Sequence, residues 1–144
     1  MGLLRGLLIV ALTVFSWAAL AQDVQGVAVA AHPEEGFQAC HGSSADGTLN
    51  CARTKCQSEH GQGCLRVRWC YPAGYSGTMS YLANREVTQL SFLCGAPSEA
   101  GLLRMLAGEC AAIEEATECR LMVMWAPDGS ESERQDLLGK NTSP

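Results

Sequence analysis

Val27, Val29 and Ala31 alternate with small residues, a period of two that predicts a first strand. The cluster His32-Pro33-Glu34-Glu35-Gly36 reads as a turn, and Phe37 to Cys40 as a short second strand. Ser43-Ser44-Ala45-Asp46 matches a capping box, so a helix is expected to start there and run to about Gln57. His60-Gly61-Gln62-Gly63 breaks it. From Cys64 to Tyr71, Leu65, Val67, Trp69 and Tyr71 fall on one face and Arg66 and Arg68 on the other, the pattern of a half-buried strand.

The same order then recurs. Met79, Tyr81 and Ala83 predict a strand, and Thr88 to Cys94 the next. Ser98 can cap a helix carrying Leu102, Leu103, Leu106, Cys110 and Ile113 at helical spacing, weakened by Gly101 and Gly108. Cys119 to Trp125 alternates, with Leu121, Val123 and Trp125 on one face. The cysteines keep step: fifteen residues separate Cys40 from Cys56 and fifteen separate Cys94 from Cys110, with a third Cys and a Trp following in each case. The expected fold is α+β: two pseudo-equivalent β-β-α-β units, about residues 24–71 and 77–126, packed together and stapled by disulfides. A unit of about 50 residues is marginal alone, which favours one shared core. Residues 127–144 turn polar and read as a disordered tail.

The first 21 residues stand apart. Arg5 precedes an apolar run from Gly6 to Phe15, and Ala19-Leu20-Ala21 is an A-x-A cleavage site, so residues 1–21 read as a signal peptide rather than a membrane anchor. No second long apolar segment follows, so no membrane insertion is expected after cleavage. The expected location is secreted or periplasmic. Loss of Arg5 makes the mature chain one charge more negative than the −5 of the whole, which disfavours nucleic acid as a partner.

All eight cysteines (Cys40, Cys51, Cys56, Cys64, Cys70, Cys94, Cys110 and Cys119) lie beyond the leader, and an even count in a small exported chain reads as a disulfide framework. Five fall in the first unit and three in the second, so full pairing requires a bridge between units. Repeat logic predicts Cys56–Cys64 and Cys110–Cys119, each across a helix-to-strand turn. It then pairs Cys51 with Cys70, which lack counterparts, and Cys40 with Cys94 as equivalents. The competing reading is a zinc site on Cys56, His60 and Cys64, completed by Cys51 or Cys70. Its spacing matches no common zinc module, and export favours oxidation.

Val27-Ala28-Val29-Ala30, a Gly-containing turn, a helix ending in Cys56 and the strand from Cys64 to Trp69 together resemble the bacterial domain-of-unknown-function family 4189, over about residues 26 to 125. The resemblance implies a small, exported, cysteine-bearing domain and brings no catalytic residues with it. Cys51, Cys70 and the two-unit layout depart from its pattern.

No catalytic signature is visible. His32, His41 and His60 each sit in a predicted turn beside Gly or Pro. Ser76 lacks the G-x-S-x-G elbow, Glu114, Glu115 and Glu118 are sequence neighbours at a helix end, and no Gly-rich loop has a phosphate-binding pattern. No cofactor and no metal are implied. The loop from Tyr71 to Gly77 offers Tyr71 and Tyr75 as binding residues, since tyrosine gives large contact area at low entropic cost. Asn141-Thr142-Ser143 is a glycosylation sequon, relevant only in a eukaryotic secretory route. The expected function is an exported, disulfide-stabilised, non-enzymatic binding protein for a protein partner, of inhibitor or immunity type. The alternative is a small secreted hydrolase with a His-based site, distinguished by whether a histidine meets Ser76 or an acid in one cleft. Oligomeric state is left open.

Overall fold

The computed structural model describes residues 25–84 and 87–139. The leader (residues 1–21) and the sequon lie outside the described residues. The chain runs β1 (Gly26–His32), β2 (Gly36–Gly42), α1 (Ala45–His60), β3 (Leu65–Cys70), β4 (Tyr75–Ala83), β5 (Val87–Ala96), α2 (Glu99–Ala112), β6 (Ala116–Trp125), β7 (Glu131–Glu133) and β8 (Leu137–Gly139). The fold is α+β and consists of the expected β-β-α-β plan used twice. In each unit the first strand is central. β1 lies between β2 and β3, and β4 between β5 and β6, all antiparallel.

Each helix covers one face of its own sheet. Ala52 and Cys56 of α1 pack on Ala28 and Ala30, while Leu102, Leu106 and Cys110 of α2 pack on Met79, Leu121 and Met124. The helix-free faces meet in a third cluster, built from Val27, Val29 and Ala39 of one sheet and Phe92 and Trp125 of the other. Phe92 and Trp125 meet edge to face at 6.2 Å. The molecule is thus layered helix–sheet–sheet–helix, and burial is shared between the units at its middle.

The predicted face of β3 is corrected by a β-bulge. The β1–β3 register shifts between Val29 and Ala30, where Arg68 and Arg66 are the partners, leaving Val67 as the extra residue. Beyond the bulge the alternation is inverted. Trp69 therefore turns toward α1 and Cys70 toward the inter-sheet cluster, instead of Trp69 sharing a face with Leu65 and Val67. The β4–β6 register shifts at the matching place, between Thr78 and Met79, leaving Met122 as the extra residue. The two bulges fix the true equivalence of the units. Cys64 matches Cys119, Val67 matches Met122, Arg68 matches Val123, and Cys70 matches Trp125.

That register also corrects two disulfides. Cys56–Cys64 and Cys110–Cys119 form as expected, but the others are Cys40–Cys51 and Cys70–Cys94. Ala28 pairs with Cys40 and the equivalent Gly77 with Leu93, so Cys40 and Cys94 are one register position apart. One residue reverses the face of a strand. Cys40 consequently faces α1, where Cys51 lies, and Cys94 faces the inter-sheet layer, where Cys70 lies. The inter-unit bridge required by parity is Cys70–Cys94.

Three further readings change. The N-cap of α1 is Ser44, with no side-chain cap bond, so the predicted box does not form; the helix continues to His60 and stops at Gly61, whose φ is 81°. Ser98 caps α2 as expected, its hydroxyl accepting from Gly101 N–H at 3.1 Å. Residues 131–139 are not a disordered tail. They lie along β6, with Leu138 packed against the α2 cluster, Glu131 accepting from Trp125 Nε1 at 2.7 Å, and Arg134 donating to Glu99 at 2.8 Å. Their apolar anchors are too few to show as a periodic stripe. Among the described residues no helix is long and apolar enough to cross a membrane.

Candidate functional site

Two features of the surface carry possible chemistry: the open end between the sheets, and β3. At the open end, a cleft of about 1150 Å³ is lined by the β1–β2 hairpin, the last turns of α1, Val67, Leu90 and residues of β6 and β7. His32 ends β1 and His60 ends α1, so neither lies in the turn expected for it, and their rings approach to 6.3 Å. Glu34, Glu35, Glu59, Glu131 and Glu133 share the lining with them. Some of this polar chemistry is already spent on local structure. Glu59 accepts from Gln38 at 2.7 Å, Glu131 holds the Trp125 indole, and His32 Nδ1 accepts from Glu34 N–H at 3.4 Å.

Ser76 is not part of this arrangement. It is fully buried in β4, and its hydroxyl donates to the Ala73 carbonyl at 3.0 Å. His41 also lies apart, within β2 rather than in a turn, beside Gly129 and Asp128 of the β6–β7 turn. Burial pushes its pKa below 6.5, and the Asp128 carboxylate opposes that shift only in part. Its Nε2 is buried and has no hydrogen-bond partner among the described residues. Glu114 and Glu115 follow the end of α2, and Glu118 pairs with Arg120 on β6, so the three do not converge on a cleft. Cys56 and Cys64 are bonded to each other, which removes the thiolates from the zinc reading. Among the described residues no group of three or more His, Cys, Asp and Glu is placed to hold a metal.

On β3 the sequence pattern promised burial and the structure gives exposure. Leu65 is 63% exposed, Val67 48% and Tyr71, just beyond the strand, 59%. Trp69 and Tyr71 stack at 6.2 Å with an interplanar angle of 22°. Gly26 makes room for the Trp69 ring, because any side chain there would collide with it. Tyr75 is half-buried at the start of β4 and packs against the α2 cluster, so Tyr71 and Tyr75 belong to different surroundings. Arg66 pairs with Asp46 of α1 at 2.8 Å. Arg68 reaches the Phe92 carbonyl at 3.4 Å and remains exposed.

The alternation of Leu65 and Val67 was visible in the sequence, but their exposure was not. It follows from β3 being the edge strand of its sheet, with Val67 lining the open cleft between the sheets. No family, no curated protein and no solved structure was found to match this chain.

Proposed function

We propose that this is an exported binding module that engages a protein partner through β3 and its flank, in the manner of an inhibitor or immunity protein. Four disulfides give the chain the character of a stable protein of the extracytoplasmic type. The observation that carries the reading is the exposure of Leu65 and Val67 on β3 and of Tyr71 just beyond it, on a strand braced by two bridges, Cys56–Cys64 before it and Cys70–Cys94 at its end. Exposed apolar side chains on a rigid element are the anatomy of an interface, since little ordering entropy is lost on binding. The resemblance to exported domains of unknown function belongs to the same proposal.

The test is capture from envelope and culture fractions with oxidised mature protein, beside a bait in which Leu65, Val67 and Tyr71 are all replaced by serine. A partner held by the native bait and lost with the triple variant, both folded by circular dichroism, supports the reading. Equal capture by both baits rejects it. A second reading, a small hydrolase, rests on the convergence of His32 and His60 with Glu34, Glu35 and Glu59 at one cleft. It predicts that any hydrolytic activity falls by about 100-fold or more in His32→Ala or His60→Ala.

A further inference from the structure

The two units treat one equivalent strand edge differently. On β6 the outer edge is covered by the chain's own residues 131–139. Glu131 and Glu133 pair with Trp125 and Val123, and Leu137 and Gly139 pair with Arg120 and Cys119. Between these pairs, Arg134 N–H donates to the Met122 carbonyl at 2.7 Å and Leu121 N–H donates to the Asp136 carbonyl at 2.9 Å. The covering segment therefore keeps two backbone bonds to β6 where it passes the bulge. Among the described residues, no strand pairs with the outer edge of β3. By the equivalence of the bulges, the groups matching Leu121 N–H and the Met122 carbonyl are Arg66 N–H and the Val67 carbonyl.

We propose that the outer edge of β3 is a strand-addition site that takes an extended acidic segment of a protein partner, antiparallel to β3. This deepens the binding reading above and rests on it. Main-chain bonds supply the affinity of such a contact, and side chains on alternate positions supply its specificity. The acidic chemistry follows from charge. Glu133 stands opposite Val123 on β6, and the β3 counterpart of Val123 is the exposed Arg68, so an acid at that position meets a cation. The same charge argues against a second copy of β3 as the occupant, because antiparallel self-pairing centred on Val67 brings Arg66 of each copy against Arg68 of the other. Leu65 and Val67 offer apolar contact beside the ladder.

The probe is a synthetic peptide with the sequence of residues 130–139, the segment that covers the equivalent edge. It is added to the oxidised protein, with amide exchange followed by NMR. The expected result is that the Arg66 amide, open in the free protein, slows by about 10-fold or more while the Leu121 amide is unchanged. Arg68→Glu is expected to weaken binding by about 10-fold, and a peptide carrying Glu133→Lys to restore it. Should Arg68→Glu fold poorly, Arg68→Gln replaces it and is expected to weaken binding about 3-fold. Three results overturn the proposal: no slowing at Arg66 with about 1 mM peptide, an Arg66 amide already protected in the free protein, or binding indifferent to the charge at position 68. A partner captured through Leu65, Val67 and Tyr71 that leaves the Arg66 amide open overturns strand addition while the binding reading stands.

Discussion

Gly26 and His41 are two single positions at which the layers set narrow limits. A methyl group on Gly26 would meet the Trp69 ring, which lies over α1's side of the sheet because the bulge turned it there. Gly26→Ala is therefore expected to cost about 1–3 kcal/mol through overpacking, read as a lower denaturant midpoint with an unchanged slope. At His41 the sign of the pH dependence follows from burial. Its folded-state pKa lies below 6.5, so as pH falls through 6.5 the unfolded chain takes up the proton first. Stability contributed by neutral His41 is complete above that value and is lost on acidification toward the lower folded pKa. His41→Gln is expected to flatten this part of the profile, checked by urea unfolding on either side of 6.5. Neither position could be assessed from sequence. Each depends on a neighbour distant in the chain, Trp69 for one and the Asp128–Gly129 turn for the other.

At the scale of elements, periodicity marked α2 and most strands of the two units, while α1 was marked by its start at Ser43 to Asp46 and its break at Gly61. It failed where the period changes within a strand. Nothing in Leu65-Arg66-Val67-Arg68-Trp69 marks Val67 as supernumerary, and the alternation read straight through it put Trp69 on the wrong side. The equal spacings from Cys40 to Cys56 and from Cys94 to Cys110 made Cys40 and Cys94 look equivalent, although they lie one register position apart. The short tail strands escaped notice because β6 supplies most of their partners. Deleting residues 130–144 uncovers the β6 edge that residues 131–139 cover and the Leu138 site on α2. The truncated protein is expected to lose about 1–3 kcal/mol and to expose the Leu121 amide to exchange, measured by unfolding and by NMR. The bridges also differ in weight. Cys70–Cys94 closes 24 residues and Cys56–Cys64 closes 8. The chain-entropy relation gives about 3.5 kcal/mol for the first and about 2.5 kcal/mol for the second. Paired Cys→Ala variants are expected to rank in that order in thermal unfolding, with the Cys70–Cys94 pair the more damaging.

The whole molecule is two small units that do not each own a complete interior. Each helix seals one sheet face, and the opposite faces cover one another through Val27, Val29, Phe92 and Trp125. The duplicated plan was legible because hydrophobic spacing and cysteine spacing repeat together. The candidate binding edge was not, because exposure is decided by which strand ends up outermost. One consequence of the bridge pattern concerns how the molecule is made. The four disulfides join Cys40 to Cys51, Cys56 to Cys64, Cys70 to Cys94 and Cys110 to Cys119, so every cysteine is bonded to its immediate neighbour in the order of the sequence. A chain threaded N-terminus first into an oxidising compartment would meet each correct partner as the very next thiol to emerge. Such a protein needs an oxidant for its biogenesis but no reshuffling of mispaired intermediates.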